Sequence, residues 1–160
     1  MSYGPLACLA LLLPLGAAAC AGRAHASGVT SIEARIDGLT CPTCVPPLTK
    51  SLKRNYIAST VEVNDDKDTA TVRFAGQETF SPAEFQAAVE RVRMHVVEVR
   101  MQACGIVEES GGRKVLVAGA SRFAVRSERA LPVKQPICAD GSVDARSEPA
   151  VFQVTAFSLQ

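Results

Sequence analysis

Six cysteines stand in a chain of 160 residues, and their spacing suggests where chemistry is done. Cys41 and Cys44 lie three positions apart in Gly38-Leu39-Thr40-Cys41-Pro42-Thr43-Cys44. An alternating apolar stretch (Ile32, Ala34, Ile36) precedes them and a stretch of helical spacing (Val45, Leu48, Leu52, Tyr56) follows. That pattern predicts a strand, a loop and a helix N-terminus. Two thiols so placed either hold one soft metal ion as thiolates or close into a disulfide, and the positive end of a helix favours the thiolate form. Thiolates select soft ions such as Cu(I), Zn(II) or Hg(II). Cys104 and Cys138 form a second set, each within a strand-like run. The chain shows no Ser-His-Asp arrangement and no Gly-rich phosphate loop, and Gly111-Gly112 reads as a hairpin turn, so the expectation is a binding protein and not an enzyme.

The elements that must position these residues follow from periodicity. Ser31 to Gly38 alternates as a half-buried strand. Pro46 and Pro47 fit the first turn of the helix after Cys44, where N–H groups lack partners. Lys50, Lys53 and Arg54 crowd its later turns, as a solvated face or a docking patch for an acidic partner. Ile57 to Val63 and Ala70 to Phe74 read as a hairpin around Asp65-Asp66-Lys67-Asp68. Ser81, Pro82 and Glu84 mark a capped helix start, with Phe85, Ala88, Val89 and Val92 as its buried stripe. Val97, Val99 and Met101 complete a fourth strand. The order βαββαβ over residues 29–101 is the ferredoxin-like arrangement. It brings the first strand–helix loop beside the start of the fourth strand, so Met94 and His95 become candidate extra ligands near Cys41 and Cys44.

At this point the chain resembles the heavy-metal-associated domain family, which includes copper chaperones, the amino-terminal domains of copper-transporting ATPases and the periplasmic mercury-binding protein. The resemblance rests on Gly38 to Cys44 and on the helix and hairpin that follow. It implies that Cys41 and Cys44 bind Cu(I) or Hg(II), with a metal transporter or another metal-carrying protein as partner. Thr40 before the first cysteine resembles the soft-metal members. Leu39 stands where the family usually has Met, and Met94 or His95 replaces an aromatic common near the end of the second helix.

Residues 102–160 lose helical periodicity. Cys104 to Glu108, Val115 to Val117, Phe123 to Val125, Ile137 to Val143 (with Gly141 as a bulge or bend) and Val151 to Leu159 read as five strands, a small all-β domain with OB-like barrel order. In that order the first and fourth strands are neighbours, so Cys104 and Cys138 are expected to form a disulfide. The fold class is thus α+β: a ferredoxin-like unit, then a barrel.

Residues 1–26 read as a leader. Leu6 to Leu15 is a short apolar run suited to a signal peptide. Ala24-His25-Ala26 fits a cleavage site, Ala17-Ala18-Ala19-Cys20 a lipobox with Cys20 lipidated, and an uncleaved anchor is the third reading. Each places the rest of the chain outside the cytoplasm, in the periplasm or cell envelope, with membrane contact only through such an anchor. Without the one arginine of this leader, 16 basic residues face 16 acidic ones. That balance, with no Trp and two Tyr, argues against nucleic acid as a partner. Two alternatives to metal carriage remain: a thiol–disulfide redox protein using the same pair, and a structural or interaction module that keeps the fold without the metal, its barrel serving as the working surface.

Overall fold

The computed structural model describes residues 27–75, 78–144, 147 and 149–160; the leader, with Cys20 and the Ala24-His25-Ala26 site, lies outside them. Among the described residues the architecture is mixed α+β, mostly sheet with two α-helices. Strand β1 (Gly28–Asp37) leads through a short 3-10 turn (Pro42–Cys44) into helix α1 (Val45–Asn55). Strands β2 (Thr60–Asn64) and β3 (Thr69–Arg73), helix α2 (Pro82–Glu90) and strand β4 (His95–Ser110) follow. Then come β5 (Arg113–Ala118), β6 (Ser121–Ser127), β7 (Pro136–Asp144) and β8 (Val151–Leu159).

All strands belong to one eight-stranded sheet in the order β2-β3-β1-β4-β5-β6-β8-β7, with β4 also pairing β7. The first four are antiparallel neighbours. The last five close into a ring, β4-β5-β6-β8-β7 and back to β4, with β6 and β8 parallel. Strand β4 belongs to both parts. Its residues from His95 to Cys104 pair β1, those from Arg100 to Ile106 pair β7, and those from Ile106 to Ser110 pair β5.

Alternation along β1 puts Ile32, Ala34 and Ile36 in the core and Glu33, Arg35 and Asp37 outside. Leu48 and Leu52 of α1 and Phe85, Ala88 and Val89 of α2 join that core. The Ser51 hydroxyl donates to the Ala88 carbonyl at 2.6 Å, pinning one helix to the other. Ser81 caps α2, its hydroxyl oxygen accepting the Glu84 N–H. The core continues into the ring through aromatic rings: Phe74 meets Phe80, Phe80 meets Phe85 and Phe123, and Phe123 meets Phe152, each pair with centroids 6.0–6.4 Å apart. Phe80 is also held by Ser121, whose hydroxyl accepts the Phe80 N–H at 3.1 Å.

Four expectations change. The fourth strand does not end at Met101; β4 runs on to Ser110, so the chain crosses from residue 101 to 102 inside one strand. Residues 57–59 are not strand. They form a loop in which Glu78 accepts the Ala58 N–H and the Ser59 hydroxyl, leaving Ile57 85% exposed. Phe74 lies just past the end of β3. Val97 is not on the core face: the β1–β4 register skips it between Val96 and Glu98, a bulge that turns it outward. The bend expected at Gly141 is present as a register shift between Asp140 and Gly141.

Candidate metal-binding loop

The loop between β1 and α1 is anchored from below. Leu39 is fully buried, and Gly38 has φ +91°, a left-handed conformation that favours glycine. A buried Leu39 explains an apolar residue there: it is a core anchor, not a ligand. The Cys44 N–H donates to the Cys41 carbonyl at 2.9 Å, which closes the turn over Pro42 and Thr43. Cys44 is the N-cap of α1, which has prolines in its first turn and Lys53 and Arg54 in its last. Pro42 and Thr43 are exposed, and both cysteines are half-buried.

The two sulfurs meet. Cys41 and Cys44 are paired as a disulfide. The Thr43 hydroxyl lies 3.2 Å from the Cys41 sulfur and donates to it. Two electrons and two protons would convert the pair into two thiols on the same turn, where a soft ion can bridge them.

The extra ligands are not assembled in the same way. Met94 is buried, and its Cγ would lie 3.6 Å from a Cβ at Gly38, so it packs under the loop as core. His95 is exposed and sits opposite Asp37 at the end of the β1–β4 pairing. Among the described residues, no group of three or more His, Cys, Asp or Glu side chains gathers to hold a metal. The supply at the loop is therefore two sulfurs, which suits a linear soft-metal site.

Cys104 and Cys138 face each other across β4 and β7 and are bonded at 2.07 Å, with Cα atoms 4.0 Å apart. Cys104 is buried, and the Gln160 amide reaches the Cys138 sulfur at 2.8 Å. Sequence reasoning missed Phe80 and Ser121 as the join between the two parts; they are 41 residues apart, with no local signal. Among the described residues no helix is long and apolar enough to cross a membrane.

No protein-family model and no curated protein matches the chain. A solved structure described as "Crosstalk between Cu(I) and Zn(II) homeostasis" is similar over 41% of this chain and 93% of that one, at 22% identity and a TM-score of 0.35. A likeness at that level carries no argument about what this chain binds.

Proposed function

We propose that this chain is an exported soft-metal-binding protein that takes Cu(I) or Hg(II) between the thiolates of Cys41 and Cys44. The observation that carries the reading is the loop itself. Both sulfurs are held together at the outer end of the sheet, on a turn fixed by Gly38, the buried Leu39 and the start of α1. The βαββαβ element order and the strand order β2-β3-β1-β4 support a ferredoxin-like, heavy-metal-associated module. The ring of β4 to β8, with its one parallel pair, supports an OB-like barrel after it.

The partner in this reading is a metal transporter or another metal carrier that receives the ion by ligand exchange. Each incoming thiolate displaces one of the pair, so the ion is never released bare. The protein works in the periplasm or cell envelope, free or lipid-anchored through Cys20. Its role is carriage, not catalysis.

The test is native mass spectrometry of the reduced chain offered Hg(II), Cu(I) and Zn(II) in competition, beside the double variant Cys41→Ser/Cys44→Ser. One retained soft ion, lost in the variant, is the expected result. Reduced wild type that retains no ion overturns the reading. The bonded state of the pair favours a second reading, thiol–disulfide exchange on other proteins; catalysed reduction of a disulfide-bonded test protein would support it.

A further inference from the structure

A metal-binding pair that is oxidised must be opened before it can work, and this chain carries a second disulfide that the same reductant would meet. The surroundings of the two differ. Attack on a disulfide proceeds in line with the S–S bond, from behind the sulfur attacked. Cys104 and Cys138 are the middle of a row across four strands: Gly28 on β1 lies opposite Cys104, Cys104 opposite Cys138, and Cys138 opposite Ser158 on β8. A neighbouring strand, ~4.8 Å away in a regular sheet, therefore flanks the pair on each side. Cys104 is 7% exposed; Cys138 is half-buried, and its sulfur accepts a hydrogen bond from the Gln160 amide at 2.8 Å. Attack at the buried Cys104 sulfur calls for local opening of the sheet, and attack at Cys138 must displace the Gln160 amide. Cys41 and Cys44 lie instead on a turn at the end of the sheet, with exposed Pro42 and Thr43 between them.

The two pairs also sit at opposite ends of β1. Gly28 is beside Cys104, whereas the loop leaves after Asp37, nine residues along at ~3.3 Å each, so roughly 30 Å separates them. Thiols released at one pair cannot reach the other within the same molecule.

We infer that Cys41–Cys44 is the exchange site for a dithiol reductant, which opens it selectively while Cys104–Cys138 stays closed. The working form is then reduced at the loop and oxidised in the barrel. The step balances. One thiolate of the dithiol attacks a sulfur of the Cys41–Cys44 pair and the other cysteine leaves. The second thiol of the reductant then resolves the mixed disulfide. The reductant ends as a disulfide, and its two protons and two electrons end on Cys41 and Cys44. The metal-binding reading supplies the reason for the step, but the selectivity rests on burial and register alone.

The test is graded reduction of the oxidised full chain with dithiothreitol under native conditions, with thiols trapped by alkylation and located by peptide mass spectrometry. Cys41 and Cys44 should be labelled at least ~10-fold faster than Cys104 and Cys138, whose labelling should catch up only in denaturant. Equal rates, earlier labelling of Cys104 and Cys138, or labelling of Cys41 and Cys44 without reductant would each overturn the inference. Offering Hg(II) to the selectively opened protein separates the two readings. Selective opening without metal retention removes the carrier function and leaves the exchange site. Metal retention at Cys41 and Cys44 in a protein whose two disulfides open at equal rates does the reverse.

Discussion

Tyr56 offers the sharpest quantitative check on the core. It follows α1, is 2% exposed, and its ring packs against Phe74 at 5.5 Å and Phe85 at 6.4 Å. Its hydroxyl is buried without a hydrogen-bond partner among the described residues. A hydroxyl buried unpaired costs about 1–3 kcal/mol. Tyr56→Phe keeps both ring contacts and removes that cost. It leaves a void of about one oxygen, roughly 15 Å³, worth ~0.4 kcal/mol at ~24 cal/mol per Å³. The variant should therefore be more stable by about 1 kcal/mol, seen as a melting temperature about 3 °C higher.

The same residue predicts an alkaline signature. Burial first, then the carboxylates of Glu84 and Glu78, raise the Tyr56 hydroxyl well above its ordinary range. Its folded-state pKa lies above the unfolded value of about 10, so the stability linked to it is intact below pH ~10 and falls as pH rises beyond it. One proton contributes a slope of ~1.4 kcal/mol per pH unit, so by pH ~11 wild type should lose ~1.4 kcal/mol that Tyr56→Phe retains. Urea unfolding of both proteins at neutral pH and at pH ~11 measures the two effects together. A destabilised Tyr56→Phe variant, or a stability gap that does not widen in alkali, would refute the reasoning; either would mean that the hydroxyl has found a partner.

Two further substitutions test the barrel and the loop. Gly141→Ala would place a Cβ 2.0 Å from the Gln153 carbonyl oxygen at the β7 bulge. It should cost about 3 kcal/mol in urea unfolding, and a loss below ~1 kcal/mol would mean that the bulge relaxes cheaply. Thr43→Val removes the hydroxyl that donates to the Cys41 sulfur. If that bond steadies the departing thiolate, opening of Cys41–Cys44 should slow about 2- to 5-fold, equivalent to ~0.5–1 kcal/mol. The rate at Cys104–Cys138 should not change, and an unchanged loop rate would show that Thr43 does not assist.

Much of the arrangement was legible because each face of most elements has one environment. The core-facing stripes of β1, α1 and α2 carry the expected residues, and the cross-strand position of Cys104 and Cys138 followed from strand order. The misreadings fall where that condition fails. From Met101 to Gly105 only Gln102 is exposed, because β4 is paired on both edges there and enclosed by both parts of the core. Alternation disappears, and a continuous strand looks like a boundary. Val97 and Ile57 are apolar but exposed, one at a bulge and one in a loop held by Glu78, and apolar character alone placed them in strands. The bonding state of Cys41 and Cys44 is a matter of electrons that residue types do not encode.

The shared strand bears on how the Cys41–Cys44 loop would be used. Were the barrel a tethered second domain, the loop and the barrel could present themselves to a partner independently. Instead, β4 pairs with β1 over the stretch that ends at the loop and with β7 and β5 over the stretch that closes the ring. Phe80 and Ser121 fasten the α2 side to the barrel as well. Two separate attachments, one through backbone ladders and one through the aromatic core, leave no hinge between them. The Cys104–Cys138 bond lies where β1, β4, β7 and β8 run side by side, so it secures the attachment on the ladder side. Under the proposed carrier function, loop and barrel would meet a partner as one body, and the motion needed for ligand exchange would come from Thr40 to Cys44 themselves, above the buried Leu39.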